Sequence, residues 1–292
     1  MTLPPFEPTV DPDIEVAYVS GQGRPTWPAL LADFARRSEE VLARPGVVRD
    51  RAYGPHPRQR FDVVPAEGVA RVSLVYLHAG YWQMRDRTAF RFLAETFAAL
   101  GCDTVFADYP LAPDFGVAAI TEAVRALVPA IRAETAERRG TALPIVAAGH
   151  SAGGHLAVEL ALTDPAAWGL ATSPIAAVLA LSGVYDLEPL VATSLDRALR
   201  LDAEAARAAS PLHRADRAAV PALFAVGGGE TPAFVEQNRA MADAWRAAGA
   251  PAETLVVADA DHFRLLDELT DPAGPLRAAV ARLLDAVPGR VD

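Results

Sequence analysis

The sequence predicts an α/β fold with a mostly parallel central sheet and helices on both faces. Three observations carry this expectation. From Val72 onward, apolar runs alternate with longer stretches whose apolar residues recur at helical spacing, the pattern of parallel strands joined by crossover helices. No polar low-complexity segment divides the 292 residues, so the length fits one large unit with a sizeable core. Finally, the run Pro144-Ile-Val-Ala-Ala148 stops abruptly at Gly149-His-Ser-Ala-Gly153 and then turns helical, which puts a sharp turn at a strand's C-terminal end.

Taken in order, residues 1–45 lack strand alternation. Within them, 28–42 shows helical spacing between Pro28 and Pro45-Gly46, so this part reads as an N-terminal helical arm. Residues 47–53 and 59–64 read as two short strands, joined as an edge hairpin by the turn-rich Gly54-Pro-His-Pro57. The alternation then predicts strands at 72–77, 103–107, 144–148, 175–181, 221–226 and 253–258. Helices are expected at 87–100, 117–138, after the 149–153 turn, at 232–248 and at 275–287. Residues 183–219 are less regular, with helical fragments at 187–199 and 203–209, and an insertion of this length between strands suits the roof of a pocket.

Composition narrows the function classes. A net charge of -10 argues against nonspecific binding to nucleic acid or an anionic membrane. There is no lysine, which excludes a lysine Schiff base and a P-loop. The single Cys102, between Gly101 and Asp103 just before an apolar run, reads as core or strand-edge filler. Neither a signal-peptide pattern nor a membrane-length apolar stretch is visible, so the expectation is a cytoplasmic setting and a small-molecule substrate. The sequence leaves room for a homodimer without fixing the oligomeric state.

The chemistry centres on Ser151. A serine hydroxyl is a weak nucleophile, so a fold that uses one lifts it clear of the backbone beside a base, and glycines at 149 and 153 leave room for such a turn. The base is expected to be His262, just after the last predicted strand; the acid is expected at Glu230, in the turn after 221–226, with Asp186 as its rival. Asp259 and Asp261 read as loop charges. Of the six histidines, His78, His150 and His155 read as structural, and His56 and His213 as turn residues facing solvent. An oxyanion hole needs backbone N–H groups where negative charge develops. Ala152, Gly80 and Tyr81 are placed to supply them, the last two in the turn His78-Ala-Gly-Tyr-Trp82 after strand 72–77.

With these motifs in view, the chain resembles the α/β-hydrolase superfamily, and within it the serine-dependent kynurenine formamidases, relatives of the hormone-sensitive-lipase-like esterases. The likeness runs through His78-Ala-Gly-Tyr-Trp82, Asp108-Tyr-Pro-Leu-Ala-Pro113, Gly149-His-Ser-Ala-Gly-Gly-His-Leu156, Leu181-Ser-Gly-Val-Tyr-Asp-Leu-Glu-Pro-Leu190, Ser210-Pro211 and Asp261-His-Phe263. Formamidases carry HGGYW in the oxyanion loop, and here Ala79 replaces the first glycine. The resemblance implies hydrolysis of an N-formyl arylamine such as N-formylkynurenine, without cofactor or metal. Tyr81 and Trp82 are expected to line the pocket, and residues 1–45 with 183–219 to roof it. A short-acyl carboxylesterase is the competing expectation.

Overall fold

The apolar runs assemble into one eight-stranded sheet in a computed structural model that describes residues 6–287. In chain order the strands are β1 Val48–Ala52, β2 Arg60–Val64, β3 Val72–Leu77, β4 Cys102–Ala107, β5 Ile145–His150, β6 Ile175–Leu181, β7 Ala222–Gly227 and β8 Ala252–Val257. They lie side by side as β1-β2-β4-β3-β5-β6-β7-β8. Strand β2 runs antiparallel to both neighbours, and every other pairing is parallel. Strands β3, β4 and β5 are buried along their whole length, which explains why they read as continuous apolar runs rather than alternating ones. At the edge, β1 exposes Arg49, Asp50 and Arg51, charges that discourage pairing with another chain. Cys102 is fully buried at the start of β4, and burial pushes its thiol up to about 12.

Two of the expected helices differ from the sequence reading. Where one helix was expected over 117–138, two are found, Val117–Arg125 and Leu127–Arg139. The cause is Pro129, which has no N–H to give to the Arg125 carbonyl. The indole of Trp168 donates to that carbonyl instead, at 3.0 Å. Residues 87–100 form a 3-10 segment, Arg87–Leu93, before the α-helix Ala94–Ala99. Both Arg87 and Arg91 reach the buried Asp62, at 2.9 and 2.6 Å, so side-chain pairing outweighs helix propensity there.

The N-terminal helix Trp27–Val41 appears where expected, packed on the 3-10 segment through stacked Phe34 and Phe92, 4.3 Å between centroids. Ahead of it lie a short helix Pro12–Glu15, capped by Asp11, and a π-helical turn Val16–Ser20. This arm meets the insertion between β6 and β7: Ser194 donates through its backbone N and its hydroxyl to the Glu15 carboxylate, at 2.8 and 2.6 Å. Among the described residues no helix is long and apolar enough to cross a membrane.

Candidate active site

The β5 turn places Ser151 at φ 57°, ψ -121°, a backbone region that side chains seldom adopt and that points to function. Close approach on both sides makes the turn possible. A Cβ at Gly149 would meet the Gly153 carbonyl oxygen at 2.1 Å, and one at Gly153 would meet the Leu77 oxygen at 2.0 Å. The helix Ala152–Ala161 starts immediately, so the serine sits at its positive end. Ser151 N donates to Leu181 O at 2.8 Å, anchoring the turn to β6.

The loops after β7 and β8 bring Glu230 and His262 together. His262 Nδ1 donates to Glu230 Oε2 at 2.6 Å, which leaves Nε2 free to accept a proton. The Glu230 carboxylate is buried and held by three further donors: Gly227 N at 2.8 Å, Gln22 Nε2 at 3.3 Å, and the Ser182 hydroxyl. Four directional contacts fix the acid, which in turn fixes the imidazole. The His262 ring lies 4.4 Å from that of His150, the residue before Ser151, and packs edge-on against Phe234 and Phe263. Among the described residues no hydrogen bond joins Ser151 Oγ to His262; such contacts commonly tighten only when substrate binds. Ser151 is 1% and His262 4% exposed, so the site is closed in this conformation. A cavity of about 270 Å³ beneath the insertion is lined by Arg125, Glu159, Arg200 and Arg214 among others, but by none of the three candidate catalytic residues.

The loop after β3 takes Gly80, Tyr81 and Trp82 through positive φ values of 134°, 50° and 58°. The amides of Gly80, Tyr81 and Ala152 donate to no acceptor within the turns and loops of the described residues. Ala79 has no positive φ, and its methyl joins the buried core, so replacing the family's glycine introduces no backbone strain. The loop is braced from beneath. Tyr109 stacks on His78 at 4.2 Å and donates its hydroxyl to His78 O at 2.7 Å, while Arg58 donates to Arg85 O at 2.7 Å. Burial holds His78 at about 3, far below its ordinary value, so it stays neutral.

The remaining sequence expectations divide. Asp186 does not reach His262; its carboxylate accepts from Glu188 N at 3.0 Å within its own turn. Asp261 serves its loop, accepting from Phe263 N and Arg264 N at 3.0 Å and from the Trp27 indole at 3.1 Å. Tyr81 is half-buried, with its hydroxyl donating to Tyr18 O in the arm. Trp82 has no exposed surface and meets His155 edge-on at 5.1 Å, so in this conformation it packs beneath the loop instead of facing an open pocket. His56 is half-buried against Phe115, because a turn histidine met an aromatic neighbour. Sequence reasoning missed Gln22, whose partner is 208 residues away and which belongs to no motif.

Fold and site together define a hydrolase of the α/β type, and the chain belongs to the α/β-hydrolase fold family, whose match covers residues 74–265. Among individual proteins it is similar to the kynurenine formamidase of Danio rerio, 28% identical over 260 residues, covering 84% of this chain and 87% of that protein. The kynurenine formamidase of Salmo salar is 29% identical over 259 residues, covering 83% and 86%. A crystal structure of a candidate thioesterase from Silicibacter sp. TM1040 superposes with a TM-score of 0.80 at 29% identity, covering 91% of this chain and 98% of the other.

Proposed function

We propose that this enzyme is a serine-dependent formamidase that cleaves N-formyl arylamines of the N-formylkynurenine type to formate and the free amine. The observation that carries the reading is the buried Glu230–His262 pair converging on the strained Ser151 turn, in a chain similar along most of its length to kynurenine formamidases. Ser151 Oγ attacks the formyl carbon while His262 Nε2 takes its proton. The tetrahedral oxyanion rests on the amides of Gly80, Tyr81 and Ala152, aided by the helix N-terminus. His262 then protonates the departing amine, and the formyl-enzyme is released as formate by water that His262 deprotonates. Glu230 orients the imidazole and stabilises its charged form. No step requires a cofactor or metal.

The catalytic unit on this reading is the whole chain, with the arm and residues 183–219 as its cover. Since Ser151 is 1% exposed, a substrate reaches it only when that cover shifts. Tyr81 contributes to the site through its backbone amide, with its hydroxyl tied to Tyr18 O, and Trp82 packs on His155. The same residues could open a short-acyl ester or thioester, a second reading favoured by the superposition on the candidate thioesterase. Turnover of N-formylkynurenine against a short-chain nitrophenyl ester, with Ser151→Ala as the blank, separates the two. Formamide cleavage with the higher kcat/KM supports the proposal; ester cleavage with no formamide turnover overturns it.

A further inference from the structure

Two arginines on the same loop have opposite surroundings. Arg87 touches three carboxylates, those of Asp50, Asp62 and Asp108. Arg85, half-buried at φ 72°, makes no hydrogen bond or ion pair through its guanidinium among the described residues. Its recorded side-chain contact is the face of Phe263, with the guanidinium carbon 4.8 Å from the ring centroid. Burial holds Arg85 below its ordinary value, while around Arg87 the carboxylates outweigh the same penalty and raise it. A ring face attracts a cation but does not neutralise it, so Arg85 remains a partly desolvated charge lacking a counter-ion.

Its position shows which part of a substrate it would meet. Phe263 meets both Arg85, over its ring face, and His262, edge-on with 5.4 Å between ring centroids. The base that protonates the departing amine is thus one ring away from the unpaired cation. The nearby imidazoles of His78 and His150 are neutral and fully buried, and offer Arg85 no charge to pair with.

The geometry points to Arg85 as the anchor for a carboxylate carried on the leaving-group half of the substrate, so that the favoured substrates are acylated amines bearing an anionic group. This rests on the hydrolase assignment of Ser151 and His262 and adds the chemical class of the leaving group. A guanidinium suits the task because its planar fork binds a carboxylate with two parallel hydrogen bonds.

The test compares kcat/KM for N-formylkynurenine and for its decarboxylated analogue, which keeps the aryl ketone and the amine. A second pair, 3-acetoxybenzoate against phenyl acetate, poses the same question with an ester. The wild type is expected to favour the carboxylate-bearing member of each pair, less so as salt is raised. Arg85→Gln is expected to reduce that preference about 10- to 100-fold, Arg85→Lys to restore part of it, and Arg85→Glu to invert it. An unchanged ratio of carboxylate-bearing to carboxylate-free substrate in Arg85→Gln, in both pairs, overturns the inference, whatever the absolute rates. If the formamides are not turned over and the ester ratio still collapses, the formamidase reading fails and the role of Arg85 stands.

Discussion

The candidate catalytic groups and the cover above them are built in different ways. Ser151, Glu230 and His262 sit just beyond the C-terminal ends of the parallel strands β5, β7 and β8, where backbone hydrogen bonds set their positions. The arm and residues 183–219, proposed above as the cover, are held to that frame by side-chain contacts. They include Gln22 to Glu230 at 3.3 Å, Arg24 to Gly229 O at 2.7 Å and Thr231 to Ala17 O at 2.6 Å. On the proposed function, rigid strand ends suit bond chemistry, which tolerates little displacement, and a side-chain-tethered cover suits access and choice of substrate. Changes at strand ends should therefore abolish turnover, and changes in the cover should retune it.

The largest effect that would break this contrast is expected at the base. His262→Gln should lower kcat by about 10,000-fold or more, since a triad that loses its base keeps only the oxyanion hole and binding. Residual activity above a tenth of wild type would remove His262 from its assigned role. Glu230→Gln should cost somewhat less, on the order of 1,000- to 10,000-fold in kcat with little change in KM, because the neutral amide cannot stabilise the imidazolium. If Asp186→Asn were the more damaging change, the acid would be misassigned.

The arm supplies the sharper test. Gln22→Leu removes one of four donors to Glu230 and should lower kcat by about 10- to 150-fold, the range of a single hydrogen bond to a charged group. A role through the acid predicts that the pH at half-maximal kcat also moves, while Gln22→Glu, placing a second carboxylate beside Glu230, is more harmful. A rise in KM alone, with an unmoved pH profile, would mean that Gln22 merely packs.

The last effect concerns stability and spares the reaction. Burial holds His78, His150 and His155 below the ordinary 6.5, so the folded protein keeps them neutral while the unfolded chain protonates near that value. Unfolding then takes up protons, and stability declines as pH falls below about 6.5, by roughly 1.4 kcal/mol per pH unit for each such histidine. Urea unfolding midpoints measured between pH 7.5 and 5 should fall accordingly; a flat profile would contradict neutral burial.

The same contrast explains what the sequence made legible. Ser151 was readable because a strand, two small residues and a helix lie within a few positions of it, and the order of strands then located Glu230 and His262. The proposed cover was readable only as irregular, helix-bearing chain, since its contacts span 179 to 214 residues and leave no local pattern. Gln22 between Gly21 and Gly23 carries no signal, and an orphan charge such as Arg85 is defined only by which carboxylates fold elsewhere. The break before Pro129 was available in principle, because proline cannot donate to the carbonyl four residues back. Trp82 shows the reverse limit: its motif marked the right loop, but burial against His155 could not be read from spacing.

Formate release from N-formylkynurenine by wild type and by Ser151→Ala, compared at equal thermal stability, tests the central claim most directly. A loss of about 100,000-fold or more in the alanine variant is predicted, with wild-type kcat/KM exceeding that for short-chain esters. Formate release by Ser151→Ala within tenfold of wild type would contradict it.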